Sequence, residues 1–355
     1  MRAASVVVRQ FRNLADRALT LPHEGIALLG PNGHGKTNLL EALAYPVLFR
    51  SLRGARDREI GRFGGQGFHV GLQLEGGPLI ESTWESVAVR KRVSIDGVES
   101  PRVTDALGAW LAVAFLPSDP SLVDGGAAER RRWLDRLLSL ADAAYLAALL
   151  RYRAALAQRG AALRHGDTVS ATAFDPTLAE MGARLTKRRF EWVERAGAIW
   201  RDELAALGEP LDVELRYRGD ERLTESDAWH DRLAECHARD VSRGQTHVGP
   251  HRDDVVLELG GRSLRRYGST GQHRTAAIGL RLLEHTTLAR VRGVTPALLV
   301  DDVFAELDAD RQHRLALRLG NLGAQLVVTA PREADIPEVL EIPRWHVDAG
   351  HIRSE

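Results

Sequence analysis

The sequence predicts an α/β protein with two lobes, one built on a mixed sheet that carries a phosphate-binding loop and one mainly helical. Three observations lead to this prediction. An apolar strand, a glycine-rich loop and a helix follow one another at residues 25–44. Apolar segments bounded by turn signals fill residues 67–99, as in an antiparallel meander. From residue 127 to about 207 the chain is rich in Ala, Leu, Arg and Glu with helical spacing. We expect residues 1–120 and 245–355 in the sheet lobe and 121–244 in the helical lobe.

The bulk composition is that of an ordinary globular protein. Of 355 residues, 48 are Lys or Arg and 48 are Asp or Glu, so the formal net charge is zero. This excludes a strongly basic coat for nucleic acid, but not a local basic face or one created by dimerisation. The single cysteine, Cys236, excludes an internal disulfide and a cysteine-based zinc site. We expect no signal peptide, no membrane span and a reducing, cytoplasmic environment.

A phosphate-binding P-loop is the strongest motif in the chain. It fits G-x-x-x-x-G-K-[ST] and consists of Gly30, Pro31, Asn32, Gly33, His34, Gly35, Lys36 and Thr37. The glycines allow positive φ, so that backbone N–H groups can converge on one anion. Lys36 would carry a charge to the β- and γ-phosphates, and the Thr37 hydroxyl would ligate Mg²⁺. The alternative is a chance glycine loop before a helix, although the flanking strand and helix favour the P-loop.

The rest of the sheet lobe is predicted from short apolar runs. Residues 5–8 indicate a first strand and residues 11–14 a turn, and further strands are expected at 68–74, 79–84, 87–95 and 111–116. Between helix and meander, residues 49–58 form a basic run that includes Arg50, Arg53 and Arg56. This run is either a solvated face or a contact to phosphate or DNA.

In the helical lobe, one apolar stripe and one long helix are expected. The stripe consists of Leu134, Leu137, Leu138, Ala141, Tyr145 and Leu149. The long helix runs over 176–206 with Phe190, Val193 and Ile199 inward, after a loop at 165–172. Residues 211–217 predict a strand and 227–240 a helix. These helices are too short for a long coiled-coil arm.

Two acids end a later apolar strand. Residues 297–302 read as a buried strand that closes in Asp301 and Asp302, the form of a Walker B motif. Asp301 would hold Mg²⁺ directly or through water, and Asp302 would act as the base for the attacking water. Strands are also expected at 255–259, 326–329 and in the final segment 345–352, with a helix from 275 to about 289.

A second anion site precedes that strand. The signature turn, residues 268–272, has the form Ser-x-Gly-Gln with Ser269, Gly271 and Gln272, and it opens a helix. An ordinary helix cap is the alternative for this turn. Leu307-Asp308 follows the Walker B strand. This order of motifs resembles an ABC-type ATPase head, in which the signature turn of one subunit closes on the nucleotide of another.

A narrower resemblance covers nearly the whole chain. The segments that resemble the RecF family of recombination-repair ATPases are residues 11–13, 30–42, 50–53, 116–125, 129–135, 248–254, 268–275 and 299–308. Within the ABC class, Arg-Arg-Arg-Trp-Leu-Asp at 130–135 and Gly-Pro-His-Arg-Asp-Asp at 249–254 are specific to that family.

The resemblance implies a fold and a function. The fold would be a two-lobed head like that of SMC-type proteins, without their coiled coil. The family is cytoplasmic, binds ATP and DNA as an ATP-dependent dimer, and works with RecR and RecO to load RecA at single-stranded gaps. Its slow hydrolysis serves as a timer. Expected nucleotide contacts include the P-loop with its following Asn38, Arg12, Asn13, Asp308 and, from the partner subunit, the signature turn.

The chain also departs from the pattern. Where ABC heads carry a Mg²⁺-sensing Gln, it offers Ser118 and Asp119, and Asp119 is the candidate ligand beside Thr37 and Asp301. No His follows the strand at 326–329, and Thr329 is the nearest polar side chain. Two other functions stay open: a subunit of another ABC-type assembly such as a transporter, and an ATP-gated scaffold without useful hydrolysis.

Overall fold

The computed structural model describes residues 1–209 and 212–354, so Leu211 of the strand expected at 211–217 lies outside the described residues. Two compact units form. The first contains Met1–Asp119, Ala206–Gly208 and Glu284–Glu355, and the second contains Pro120–Ala205 and Glu209–Leu283.

The strands and helices are numbered here in chain order. The strands are β1 Ala3–Arg9, β2 Arg17–Thr20, β3 Gly25–Leu29, β4 Gly67–Leu74, β5 Leu79–Glu85, β6 Arg90–Ile95, β7 Val98–Glu99, β8 Ala112–Phe115, β9 Val213–Arg218, β10 Asp254–Leu259, β11 Arg262–Ser263, β12 Ala297–Asp301, β13 Leu326–Ala330, β14 Arg344–Asp348 and β15 His351–Ser354. The helices are α1 Lys36–Leu48, α2 Asp57–Ile60, α3 Ser121–Asp124, α4 Ala127–Ala141, α5 Ala143–Arg164, α6 Thr168–Thr172, α7 Asp175–Ala206, α8 Ser226–Arg243, α9 Leu264–Tyr267, α10 Thr270–Arg292 and α11 Ala309–Gly320.

A mostly parallel sheet carries the P-loop in the first unit. Its strand order is β15-β14-β3-β13-β12-β8, and only the β14–β15 pair is antiparallel. Every residue of β3, β12 and β13 is buried, as expected for apolar strands covered on both faces. Because β3, β13, β12 and β8 are parallel, the segments that follow them lie at one edge of the sheet.

An antiparallel sheet completes the first unit. Its order is β2-β1-β4-β5-β6-β7, so the predicted meander forms and β1 joins it beside β4. The strand expected at 87–95 begins only at Arg90, because residues 86–89 form a turn and Val89 has a positive φ of 48°. The final segment 345–352 is a hairpin of two strands rather than one, since Ala349 and Gly350 turn the chain.

The second unit is mainly helical, with a three-stranded sheet of order β11-β10-β9. The expected apolar stripe at 134–149 does not lie on one helix. Asp142 adopts an extended conformation with φ −140°, ends α4 and caps α5 by accepting the Ala144 N–H at 2.9 Å. A short polar residue at this point offers the backbone an alternative to the continuing helix, which apolar periodicity does not reveal.

The segments at 130–135 and 249–254 meet inside the second unit. Arg130 of α4 forms a bidentate ion pair with Asp254 at the start of β10, with N–O distances of 2.9 and 3.0 Å, and both residues are 5% exposed. His251 accepts the Tyr152 hydroxyl hydrogen at 2.7 Å and donates to the Thr246 carbonyl at 3.1 Å. Burial lowers the pKa of His251 to about 4, which keeps the ring neutral for these two bonds.

The boundary between the two compact units differs from the one expected from the sequence. Residues 245–283, interpreted as part of the sheet lobe, fall within the second unit. The reason is local: β10 pairs along its whole length with β9, and Arg130 of α4 binds Asp254. The functional division into an ATPase lobe and a helical lobe stays a prediction.

None of the helices within residues 1–209 and 212–354 is both long and apolar enough to cross a membrane.

Candidate nucleotide site

The P-loop has the backbone shape that its glycines suggest. Helix α1 begins at Lys36, and its N-cap Gly35 has φ 117°, while Gly33 has φ 82°. Gly30 has φ 148°, and a Cβ there would lie 2.2 Å from the Val347 carbonyl oxygen. Side chains are therefore strained at these positions, and the loop can wrap an anion at the helix N-terminus.

Lys36 lies inside this loop. It is 3% exposed, and its Nζ donates to the Gly30 and Pro31 carbonyls at 2.7 and 3.2 Å and to Asn32 Oδ1 at 3.4 Å. Among the residues that the structure describes, only neutral oxygen atoms hold the ammonium group. It can exchange these partners for phosphate oxygens without breaking an ion pair.

The P-loop and the Walker B strand meet directly. The Thr37 hydroxyl donates to Asp301 Oδ1 at 2.8 Å, although the two residues are far apart in sequence. Thr329, opposite Asp301 in the parallel register, lies 2.8 Å from the same oxygen and accepts the Asp302 N–H at 3.0 Å. Asp302 has a positive φ of 51°, which is a strained backbone conformation for a residue other than glycine.

This oxygen-rich corner fits Mg²⁺. Burial raises the pKa of Asp301, hydrogen bonds from Thr329 and Thr37 oppose the rise, and the nearby Asp302 charge adds to it. A hard cation would offset the repulsion between two carboxylates and would find hydroxyl and carboxylate ligands in place. Within residues 1–209 and 212–354, no three His, Cys, Asp or Glu side chains form a metal cluster, so water and phosphate oxygens would complete the shell.

Asp119, the third predicted metal ligand, closes a turn after β8. Its Oδ2 accepts the Leu116 N–H at 2.9 Å, and its own N–H donates to the Leu116 carbonyl at 2.9 Å. It is 7% exposed and lies after a strand parallel to β12, hence at the same edge of the sheet as Asp301. Its role toward Mg²⁺ stays a prediction.

Two arginines near the P-loop, Arg12 and Arg53, bind one buried carboxylate on α1. Glu41 is fully buried and accepts hydrogen bonds from Arg12 at 3.0 and 3.1 Å, and also from Arg53 and Ser51. Burial alone would raise the pKa of Glu41, but these donors outweigh burial and hold that pKa below its usual value. The predicted nucleotide contact Arg12 is therefore directed at Glu41 and, at 2.8 Å, at the Glu59 carbonyl.

Asn13 and Asn38 connect this group to the P-loop. Asn13 donates to the Gly33 carbonyl at 3.1 Å, and Asn38 donates to Asn13 Oδ1 at 2.7 Å. Arg53 donates to Asn38 Oδ1 at 2.5 Å. The structure thus brings predicted contacts Asn13 and Asn38 together beside the loop.

The turn of the C-terminal hairpin braces the other side of the P-loop. His34 Nδ1 lies 2.9 Å from Asp348 Oδ1, and the His34 carbonyl accepts the Gly350 N–H at 2.8 Å. The sequence offered no signal for this contact, because the two segments lie at opposite ends of the chain.

The signature turn is an exposed helix start in the second unit. The Ser269 N–H donates to Gln272 Oε1 at 2.9 Å, and the Gln272 N–H donates to Ser269 Oγ at 3.2 Å, a capping box. Helix α10 begins at Thr270, earlier than the predicted start at Thr275. The turn is therefore a helix cap, as the alternative interpretation expected. In this cap the Ser269 hydroxyl oxygen accepts a hydrogen bond, so the hydroxyl hydrogen can still be donated to an anion. Asp308 likewise caps α11, accepting the Arg311 N–H at 2.9 Å.

The sequence analysis gave Glu41 no role of its own and placed Arg53 in a basic run and in the segment 50–53 that resembles the family. One signal was present: Glu41 is a lone charge in the apolar stretch 39–44 of the P-loop helix. A buried carboxylate requires cationic partners, and their identity depends on tertiary contacts.

Comparisons with known proteins agree with this architecture. The DNA replication and repair protein RecF of Myxococcus xanthus is 37% identical over 343 residues, covering 93% of this chain and 90% of that protein. RecF of Anaeromyxobacter sp. is 36% identical over 341 residues, covering 93% and 92% of the two chains. No protein-family model matches the chain.

Solved structures extend the comparison to the fold. The recombination mediator protein RecF-ATP in the RecFOR pathway has a TM-score of 0.90 at 29% identity, covering 100% of this chain and 97% of that one. The Smc head domain of Pyrococcus furiosus has a TM-score of 0.59 at 14% identity over 100% and 96% of the chains, which shows the fold alone. The chain therefore belongs to the RecF family of DNA replication and repair proteins and has the fold of an ABC-type ATPase head.

Proposed function

We propose that this chain is an ATP-dependent DNA-binding repair protein that binds Mg²⁺-ATP at the P-loop and hydrolyses it slowly. The hydrogen bond of 2.8 Å between Thr37 and Asp301 is the observation that carries this proposal, because it joins the P-loop to the Walker B acid. When bound, Mg²⁺ would neutralise charge on the β- and γ-phosphates. Lys36 would bind the phosphates, Thr37 and Asp301 would hold the cation, and Asp302 would act as the base for the attacking water.

The surroundings of the water-activating acid support a slow rate. No histidine follows the strand at 326–329, and the nearest polar side chain is Thr329, whose hydroxyl contacts Asp301 and Asp302. A hydroxyl of this kind can hold the carboxylates in place but cannot carry a proton as imidazole does. Hydrolysis then serves as a timer for the bound state.

Membership in the family supports a wider role. We propose that ATP closes a homodimer on DNA, that single-strand/double-strand junctions or gaps are the DNA sites, and that RecO and RecR are partners in loading RecA. The proposed location is the cytoplasm. The zero net charge supports nucleotide-gated binding, since one subunit has little long-range attraction for DNA.

Gel filtration with ATP and with ADP, each with and without gapped duplex DNA, tests the proposal. We expect a monomer with ADP and a dimer that co-elutes with DNA only when ATP is present. A monomer under all four conditions would contradict the proposal, and so would DNA binding that is equal with ATP and with ADP.

Two alternatives remain distinguishable. A scaffold without useful hydrolysis predicts that Asp302→Asn leaves DNA repair intact, whereas the timer predicts a dimer that fails to release DNA. A subunit of another ABC-type assembly predicts no DNA binding with either nucleotide.

A further inference from the structure

Two adjoining pockets lie in the second unit, lined by α4, α5 and the loop before β10. The larger has a volume of about 390 Å³ and the smaller about 180 Å³, and both are lined by Arg131, Leu156 and His251. Together they form one cleft, the α4–α5 cleft. All of its lining residues belong to the second unit, and none of them is part of the nucleotide site.

The larger half of the cleft is cationic. Arg131, Arg164 and Arg252 line it, and none of its described lining residues is acidic. The side chains of Arg164 and Arg252 form no hydrogen bond or ion pair with residues 1–209 and 212–354. Arg131 uses only Nη1, which donates to the Asp253 carbonyl at 2.6 Å. An anion bound among these three guanidinium groups would relieve their mutual repulsion and would find free donors.

The smaller half of the cleft has an apolar floor. Three side chains of α5 contribute to it: Leu149, Tyr152 and Leu156. The arginines that line only this half already have carboxylate partners: Arg132, Arg153 and Arg189. A ligand that fills the whole cleft therefore needs an apolar group beside its negative charges.

The loop at 245–252, which forms one wall of the cleft, is fixed by two buried side chains. Arg159 Nη1 donates to Thr246 Oγ1 at 2.8 Å, and Arg189 Nη1 donates to the Pro250 carbonyl at 2.6 Å. Both arginines are at most 2% exposed. The wall is thus formed before a ligand arrives, which lowers the entropy cost of binding.

We propose that the α4–α5 cleft binds an acidic segment of a partner protein. An aliphatic or aromatic side chain would occupy the apolar half, and carboxylates would bind Arg131, Arg164 and Arg252. Guanidinium groups suit carboxylates because two parallel N–H donors match two oxygen atoms. The apolar half favours protein over DNA, since the backbone of a duplex offers phosphates and sugars but no apolar side chain. This surface goes beyond the proposed function and lies in a different compact unit from the P-loop.

Fluorescence anisotropy of the full chain with a labelled peptide tests the cleft. The probe, Gly-Asp-Glu-Asp-Leu-Phe-Gly, has three acids beside two apolar residues, and we expect saturable binding below about 1 mM. Arg164→Glu together with Arg252→Glu should weaken binding by more than about tenfold, because two charge-assisted contacts become repulsive. The control makes the same charge change with Arg151→Glu and Arg195→Glu. These exposed arginines of α5 and α7 line neither pocket, so the control should bind like wild type.

The apolar half is tested by a separate pair of changes. Leu156→Ala should weaken binding of the same peptide by about threefold to fivefold, since part of the floor is removed. With a second peptide that has Ala in place of Leu and Phe, the effect of Leu156→Ala should vanish. A third peptide with Asn and Gln in place of its acids should bind at least about tenfold more weakly to wild type.

Three results would overturn the proposal. Wild type could show no binding of the acidic peptide up to about 1 mM. The double variant of Arg164 and Arg252 could bind the peptide as tightly as its control does, which makes the attraction nonspecific. A short labelled DNA duplex could lose affinity in that double variant while the peptide does not, which makes the cleft a DNA contact.

Thermal melting checks that each variant is folded, and Arg252→Ala alone takes the place of the double variant if the latter unfolds, with a loss of at least about threefold expected. An unchanged affinity for the peptide in a folded Arg252→Ala would likewise contradict the proposal. ATP titration of the same variants should match wild type, because the cleft contains no residue of the P-loop. Failure of the wild-type chain to bind ATP would refute the proposed function and leave this inference standing.

Discussion

Lys36 is enclosed by oxygen atoms of its own loop, and this geometry decides which substitutions it tolerates. Its Nζ reaches three oxygen atoms between 2.7 and 3.4 Å. Lys36→Arg keeps the charge but brings a larger planar group into a space shaped for an ammonium. We expect ATP hydrolysis to fall by about 100-fold or more, on the scale of a lost electrostatic contact in the transition state, with ATP binding less affected. Steady-state hydrolysis and ATP titration measure the two effects, and wild-type hydrolysis would remove Lys36 from the site.

His251 makes stability depend on pH in a predictable direction. Burial lowers its pKa to about 4, whereas a free histidine has a pKa of about 6.5. As the pH falls from about 6.5 to 4, the unfolded chain takes up a proton that the folded chain does not, so the folded state loses stability in this window. The loss should approach about 3 kcal/mol for this residue.

Urea unfolding of wild type and His251→Gln between pH 7.5 and 4.5 measures this effect. The stability difference between the two proteins should shrink as the pH falls, because only the wild type carries the histidine penalty. His230→Gln on the exposed face of α8 is the control for replacing a histidine outside the buried site. A constant difference for His251→Gln would contradict the buried neutral ring.

Residue-scale prediction of local structure from the sequence was right within the motifs, whose roles toward nucleotide stay predictions. The P-loop, the acids of the Walker B strand and the Ser269–Gln272 turn have the expected local settings, and Thr37 does meet Asp301. It failed for Glu41 and Arg53, because a basic run gives no indication of which side chain turns inward. It also failed for the contact of His34 with Asp348, which joins segments that no local pattern relates.

Among the elements, strands were easier to predict than helix ends. Strands β3, β12 and β13 are wholly buried and mostly apolar, with Asp301 and Thr329 as the polar exceptions, so short apolar runs identify them. Helix ends depend on single hydrogen bonds, as at Asp142, where the Ala144 N–H is captured and the predicted stripe divides between α4 and α5. Helix α10 starts five residues early for a similar reason, the capping box at Ser269.

Substitutions at Ser269 can separate its role as the cap of α10 from its proposed contact with a partner's γ-phosphate. Ser269→Asp should retain the cap, since Asp is as good an N-cap as Ser, but should repel a partner's γ-phosphate. We expect melting within about 2 °C of wild type, together with loss of ATP-dependent dimerisation and hydrolysis. Ser269→Ala should instead cost about 1 kcal/mol of stability. If Ser269→Asp dimerises with ATP as wild type does, the turn is a helix cap and nothing more.

The buried ion pair between α4 and β10 should contribute strongly to the stability of the second unit. Arg130→Met leaves the Asp254 carboxyl group without its bidentate partner and nearly inaccessible to water, since both residues are 5% exposed. Removing one partner of a buried pair costs about 3–5 kcal/mol. Arg218 also approaches Asp254, at 3.3 Å, and its largely exposed side chain can offset part of this cost.

Chemical denaturation of Arg130→Met against Arg132→Ala isolates the effect. Arg132 pairs with Glu129 on the exposed face of the same helix, so its removal should change stability by less than about 1 kcal/mol. The double variant Arg130→Met with Asp254→Leu should recover most of the loss. Equal effects of Arg130→Met and Arg132→Ala would show that burial does not decide this interaction.

At the scale of the whole molecule, the two anion sites of one chain belong to different compact units. The P-loop lies in the first unit and Ser269 in the second. An exposed signature turn with an available hydroxyl hydrogen suits a ligand supplied by another molecule. A two-fold dimer would place each turn over the nucleotide of the other subunit, in an isologous interface. Because ADP lacks the γ-phosphate, ATP alone would favour that dimer.

Mixed dimers test this arrangement. Ser269→Arg puts a bulky side chain into the interface, so that chain should bind ATP yet stay monomeric and inactive by itself. A chain with Lys36→Arg should dimerise poorly or hydrolyse little, because each of its sites lacks the lysine. Each charge-assisted bond to the γ-phosphate is worth roughly 1.5–3 kcal/mol, so one intact composite site can hold a mixed pair together. That site combines Lys36 of the Ser269→Arg chain with Ser269 of the Lys36→Arg chain.

We expect hydrolysis to reappear on mixing, to at most about half the wild-type rate per dimer, and to depend on protein concentration. Normal dimerisation of Ser269→Arg with ATP, or full hydrolysis by isolated monomers, would show that the site is complete within one chain.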